Sequence, residues 1–238
     1  MPVLAANVTL GGKPAGVFNQ RGHPFSRIQP FLLKVIAGIK LAIVGLTTPG
    51  MPFWFPAKFT GGIEFPDPVM AARRVVRQVK SLGAEIIVLA GHMGLKERAG
   101  GDDFANRAMS LTAEFPEAAV FIAGHTHQAI ESRLTNGVIL TQADHFGIHA
   151  GRVDLHFDRR RRKLLHQEAG TLLMDSRVPL DPLVLSRAQP QLDRAGKILS
   201  EPVGELADSW TRTHLLENRV LSFCLSLLLS GKLSRIAA

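Results

Sequence analysis

Cysteine is nearly absent. Cys224 stands alone, so no internal disulfide can form and the fold must rest on packing. Acidic residues are also scarce. The 20 Asp and Glu face 28 Lys and Arg, giving a formal charge of +8 and a pI of about 10.2. Charged residues make up only 20% of the chain against 46% hydrophobic, which excludes the charge-rich, core-poor composition of a disordered segment. Long apolar runs are missing too. The longest late one, residues 220–229, falls short of the ~20 residues that a bilayer-spanning helix needs. The first residues carry no basic stretch followed by a long apolar one, so they do not read as a secretory signal. No Gly-x-Ser-x-Gly elbow and no glycine-rich phosphate loop occur, which removes serine-hydrolase and P-loop readings. No arginine-rich helix or aromatic-interleaved basic stripe occurs either. Neither a membrane nor a specific nucleic acid is therefore expected as a partner. The main basic run, Arg159-Arg160-Arg161-Arg162-Lys163, reads as a solvated hairpin turn.

What is present fits a core of moderate size, since 238 residues suffice for one good core or two modest domains. Apolar runs at residues 3–8, 31–36, 40–46, 85–90, 119–123 and 138–141 have the unbroken Val/Ile/Leu/Ala texture of strands covered on both faces. Between them lie helical patterns. Residues 68–82 place Val69, Ala72, Val76 and Val79 on one side and Arg73, Arg74, Arg77 and Lys80 on the other. Asp67-Pro68 marks that helix start and Gly83 its stop. A second helix is predicted over 102–114. Strand and helix alternate, which is the signature of a layered α/β sheet. Residues 151–158 and 163–174 read as a hairpin around the arginine run. Residues 178–190 are proline-rich and read as a linker, followed by a polar helix over 192–199 and the start of a second domain near Glu201.

The chemistry concentrates where histidines follow strands. The run 85–90 leads into Gly91-His92, and the run 119–123 into Gly124-His125-Thr126-His127. In α/β sheets, ligands collect at the carboxyl ends of strands. Each glycine would let the chain turn sharply over the sheet edge. His125 and His127, two apart in an extended segment, would point the same way. Neutral imidazole suits Zn, Mn, Fe or Ni, so the three histidines read as part of a metal site.

These segments resemble the calcineurin-like metallophosphoesterases. The resemblance runs through Asp67-Pro68-Val69-Met70-Ala71-Ala72, the stretch from Leu82-Gly83-Ala84 to Ala90-Gly91-His92, and Ile122-Ala123-Gly124-His125-Thr126-His127. It is greatest with the branch of 5'-nucleotidases and 2',3'-cyclic-nucleotide phosphodiesterases. Pro2-Val3-Leu4-Ala5-Ala6-Asn7-Val8, Lys40 to Pro49 and Phe146 to Leu155 also fit, so the resemblance covers residues 1–175. It implies a β-sheet sandwich flanked by helices, a nucleotide or similar phosphate ester as substrate, and a periplasmic or extracellular home. It also implies two divalent ions (Mn, Zn, Fe or Ca), with His92 and His125 on one and His127 on the other. Such ions sit ~3.5–4 Å apart and activate a water for attack on phosphorus.

The family's Asp-x-His, Gly-Asp and Gly-Asn-His motifs precede the Pro-Val-Leu-Ala-Ala-Asn-Val strand, and this sequence opens at that strand. The expectation is a partial metallophosphoesterase domain over 1–175, a linker with a helix over 176–200, and the truncated start of a nucleotidase C-terminal domain over 201–238. On this reading the metal site is weak unless a missing N-terminal half completes it, and a catalytically inactive remnant is the competing outcome. Asn106, Asp144 and His145 are candidate substrate-binding residues, with Asn106 otherwise expected as a solvated helix residue. His23, His149, His156, His166 and His214 are expected at the surface. A metallo-β-lactamase reading would want an Asp-His pair after His-x-His, and Gln128-Ala129-Ile130 stands there instead.

Overall fold

The computed structural model of the chain describes residues 2–14, 27–95 and 103–202. His23, His214, Cys224, the predicted helix start at Asp102 and residues 203–238 lie outside these. The elements run β1 (Val3–Leu4), β2 (Thr9–Leu10), β3 (Lys13–Pro14), β4 (Ile28–Gln29), β5 (Phe31–Ile36), β6 (Ile39–Thr47), α1 (Met51–Trp54) and α2 (Ala57–Thr60). There follow β7 (Ile63–Glu64), α3 (Pro68–Ser81), β8 (Ile86–His92), α4 (Ala108–Glu114), β9 (Val120–Ile122), β10 (Ala129–Thr135), β11 (Val138–Ala143), β12 (His149–Asp158), β13 (Lys163–Leu173) and α5 (Pro182–Leu199). The chain divides into two compact units between Arg177 and Val178.

The first unit is built on a six-stranded sheet ordered β10-β11-β9-β8-β6-β5. The inner pairs β11–β9, β9–β8 and β8–β6 are parallel, and the edge strands β10 and β5 are antiparallel. Alternate residues of the inner strands serve opposite faces. Val44, Ile87, Leu89, Phe121 and Leu140 share a core with Val75, Val76 and Val79 of α3 and Leu111 of α4. Ile86, Val88, Val120 and Ile139 pack with Val153, Leu155, Phe157 and Leu164 of the β12–β13 hairpin. Both faces are covered, which is why these strands read as unbroken apolar runs. The architecture is the helix-flanked sheet sandwich expected from the sequence.

Helix α3 begins as its sequence predicts. The Asp67 carboxylate accepts from the N–H groups of Val69 (2.8 Å) and Met70 (3.1 Å), and Pro68 occupies the first turn, where no donor is lost. The run at 3–8 is only briefly a strand. Val3–Leu4 pair with Ile28–Gln29, after which Ala6, Asn7 and Val8 are buried without continuing the ladder. Leu4 lies so close to Gly45 that a Cβ there would stand 2.2 Å from the leucine's own Cβ.

Asn7 is a buried hub. Its Nδ2 donates to the carbonyls of Thr47 (2.8 Å) and Pro66 (3.1 Å), and its Oδ1 accepts from the Thr47 N–H (2.8 Å). One side chain thus ties the end of β6 to the start of α3.

Several sequence expectations change. The second helix is shorter than 102–114, because Asp103 turns the chain at 103–106 by accepting from the N–H groups of Ala105 and Asn106. The proline-rich 178–190 stretch is not all linker. Asp181 caps a helix, α5, from Pro182 onward, and the helix continues through Pro190 to Leu199. Asp181-Pro182 repeats the start signal of Asp67-Pro68. Strand β10 was not foreseen, because Ala-Ile-Glu-Ser-Arg-Leu-Thr has neither an apolar run nor clean alternation. Among the described residues no helix is long and apolar enough to cross a membrane.

The arginine run does form the hairpin turn, held by Asp158 accepting from the N–H groups of Arg160 and Arg161. Arg162 has a structural task. It binds the Glu85 carboxylate and the Gly38 carbonyl, which pins the hairpin tip to the β5–β6 turn.

Two predictions follow from these contacts. Asn7→Ala leaves the Thr47 and Pro66 groups without their partner and should lower stability by about 2–3 kcal/mol in denaturant unfolding. The second concerns Glu85, whose carboxyl is held below the usual range by the Lys40 N–H, against a desolvation effect that raises it, and by Arg162. A depressed pKa gives stability that is present above the unfolded-state value and lost as pH falls through the folded one. Melting temperature should therefore fall as the pH drops below the ordinary glutamate range, and Glu85→Gln should flatten that slope.

Candidate functional site

The sheet register assembles the site. Thr47 on β6 is the partner of His92 on β8, Ala90 on β8 of Ile122 on β9, and Ile122 of Thr141 on β11. Pairing continues past the strand ends, where the Gly124 N–H donates to the Met93 carbonyl (3.1 Å) and the Ala123 N–H to the Thr141 carbonyl (2.8 Å). These bonds bring His92 and His125 side by side, with ring centroids 5.3 Å apart and planes inclined at 67°.

The glycines work differently from the expectation. Gly91 and Gly124 are not the turning points; the reversal is made by His125 and His127 themselves, at φ of 75° and 50°. Bulky residues visit this left-handed region uncommonly. The glycine that close approach requires is a third one, Gly94. A Cβ on Gly94 would lie 2.3 Å from the Thr126 Oγ1 and 2.9 Å from the Gly124 carbonyl oxygen. Thr126 is held in turn by donating from Oγ1 to Gln142 Oε1 (3.0 Å), and Gln142 is only 2% exposed.

With both histidines in the left-handed region, the segment is not extended and the two rings part. His125 lies against His92 and against Trp54, at 5.0 Å between centroids. His127 is exposed and stacks on His145 at 4.8 Å and 11°, with the Phe146 ring 6.0 Å away. The His125 imidazole is pushed toward its neutral form by partial burial, then by the charges of His92 and His127, against an opposing pull from Asp103. Neutral imidazole is the metal-binding form, so the donor chemistry fits a divalent cation. The donor number does not complete a site. No group of three His, Cys, Asp or Glu side chains among the described residues is disposed to hold a metal ion, whereas catalytic zinc sites draw on three protein ligands.

The other candidates fall into place around these rings. Asp144, at φ 61°, follows β11. Its Oδ1 meets His145 Nδ1 at 2.5 Å and its Oδ2 lies 3.3 Å from His149 Nδ1. The His145 hydrogen bond is the main cause that holds the Asp144 carboxyl below its ordinary range; partial burial opposes it. Asp144 thus orients His145, and through it the face against which His127 stacks. His149, expected as a plain surface residue, is half-buried against Asp144. His156 and His166 are exposed on the hairpin, as expected. Asn106 is not a solvated helix residue. It is buried just ahead of α4, where Oδ1 accepts from the Gly94 N–H (3.1 Å) and Nδ2 donates to Asp103 (3.2 Å). Its amide holds the loop after β8 in place. Sequence reasoning missed Trp54 and Gln142. Gln142 directly follows the predicted apolar strand 138–141, and a polar residue in that setting was a usable signal. Nothing in the sequence marked Trp54.

The Gly94 contact gives a direct prediction. Gly94→Ala must displace Thr126 and should destabilise the chain by about 1–3 kcal/mol in thermal unfolding. Gly170→Ala, where a Cβ meets nothing within 4 Å, should change stability far less.

Comparison with known proteins places this geometry. No family model matches the chain. The metallophosphoesterase YunD of Bacillus subtilis is 26% identical over 208 residues, covering 87% of this chain and 40% of that protein. The 2',3'-cyclic-nucleotide 2'-phosphodiesterase/3'-nucleotidase of Haemophilus influenzae is 23% identical over 192 residues, covering 72% of this chain and 29% of its own. Among solved structures, the calcineurin-like phosphoesterase YfkN of Bacillus subtilis superposes with a TM-score of 0.70 at 17% identity, over 84% of this chain and 64% of that one. A putative 5'-nucleotidase of Staphylococcus aureus gives 0.69 at 21% identity, over 91% of this chain and 41% of that one. The chain therefore has the calcineurin-like phosphoesterase fold and resembles the nucleotidase and cyclic-nucleotide phosphodiesterase branch. It spans less than half the length of these two curated relatives.

Proposed function

We propose that the chain is the histidine-bearing part of a phosphoesterase acting on phosphate esters of nucleotide type. The observation that carries this reading is the His92–His125 pair, held at the carboxyl rim of a phosphoesterase sheet by bonds that continue the β8–β9 pairing. The relatives' names supply the substrate class: the Haemophilus influenzae enzyme acts on cyclic nucleotides and 3'-nucleotides, and a 25%-identical relative in Vibrio cholerae is a 5'-nucleotidase.

In the finer form of the proposal, His92 and His125 hold one divalent ion and His127 another. Bound ions would supply Lewis acidity toward the phosphoryl oxygens and a water of lowered pKa. The division of the histidines into a pair and a separate ring supports that assignment. Three imidazoles are few donors for two ions, so on this reading water and the substrate's phosphoryl oxygens fill the remaining coordination positions. The shortage of donors also favours a second reading, in which the chain folds and binds metal weakly but turns nothing over.

Hydrolysis of p-nitrophenyl phosphate and bis-p-nitrophenyl phosphate by the purified chain with Mn²⁺ or Zn²⁺ separates the two. Turnover that drops about 100-fold or more in His92→Ala and in His125→Ala supports the phosphoesterase. No turnover from a chain with native circular dichroism supports the inert reading.

A further inference from the structure

The rim beside His125 carries three aromatic rings that the phosphate chemistry does not use. Phe53, Trp54 and Phe104 are 72%, 42% and 50% exposed. Phe53 and Phe104 lie 4.6 Å apart between centroids, and Trp54 and Phe104 6.1 Å apart. Trp54 in turn stands 5.0 Å from His125. The rings therefore form a continuous apolar surface that begins at the site histidine and leads away from it.

The surface is built, not accidental. Phe53 and Trp54 belong to α1, while Phe104 comes from the loop before α4, so two distant segments must be held together. Thr48, fully buried, does this. Its Oγ1 donates to the Ala105 carbonyl (2.9 Å) and accepts from the Gly50 N–H (3.0 Å). Gly50 is shaped to receive the indole, since a Cβ there would lie 2.7 Å from Trp54. Asp103 fixes the backbone beside Phe104 by capping Ala105 and Asn106. Exposed aromatic rings held at such cost in order are poor solvent neighbours and good stacking partners. A planar heteroaromatic ring laid on such rings gains roughly 1–3 kcal/mol per stack, with little dependence on which base it is.

We propose that Phe53, Trp54 and Phe104 form a stacking platform for the base of a nucleoside ester whose phosphate lies at His92 and His125. The occupant is a flat ring joined to a phosphate, because the platform starts within ring contact of His125. The tolerance of stacking makes the site selective for nucleosides over plain sugar phosphates, yet undemanding between bases. The phosphate end of this proposal rests on the phosphoesterase reading above; the base end does not.

The test uses the full chain carrying Trp210→Phe, which leaves Trp54 as the sole tryptophan. Adenosine, which has no phosphate, should quench Trp54 fluorescence saturably, and ribose 5-phosphate at equal concentration should not. Phe104→Ala should raise the adenosine midpoint about tenfold. Where esters are hydrolysed, Trp54→Ala should also lower the ratio of kcat/KM for AMP to that for ribose 5-phosphate. Absence of saturable quenching from a chain with native circular dichroism overturns the platform, as does an adenosine midpoint unmoved by Phe104→Ala. Quenching without hydrolysis of any ester upholds the platform and counts against the phosphoesterase reading.

Discussion

Everything at the candidate site depends on the parallel pairing of β8 with β9 and its continuation from Gly124 to Met93. Two strands separated by a helix end at the same level only because their register is fixed. A one-residue slip would turn every buried side chain to the wrong face. Ile86 and Val88 would then leave the hairpin, and Ile87 and Leu89 would leave α3. The core therefore enforces the register, and the register sets the spacing of His92 and His125. The geometry at this rim is a by-product of packing on both faces of the sheet.

Supporting contacts hold the loops with little freedom. Asn106 grips the Gly94 N–H, Gly94 gives room to Thr126, and Gln142 anchors Thr126 from below. Asn7 steadies Thr47, the register partner of His92. None of these side chains needs to meet a ligand. Each restricts where an imidazole can stand, which is how a site gains accuracy from residues behind it.

The sequence made the sheet legible because doubly covered strands leave an unmistakable apolar run, and α3 legible because Asp-Pro and Gly punctuate it. The histidines were legible as a group because they follow those runs. Their directions were not. Spacing says nothing about a left-handed backbone, so the expected parallel projection of His125 and His127 gave way to two separate rings. Asn106 was misread as solvated because burial there is imposed by Asp103 and Gly94 across a loop, a tertiary effect. Proline content hid α5, although Asp181-Pro182 signalled its start. Trp54 reaches His125 from a four-residue helix, and no periodicity announces that.

The central claim is that His92 and His125 act as one pair toward a cation. Histidine-selective NMR of the imidazole resonances during a Zn²⁺ titration tests it most directly. The account predicts that the His92 and His125 signals shift together, at the same added metal. Separate titration of His92 and His125, or no response from either while the fold is intact, would contradict it.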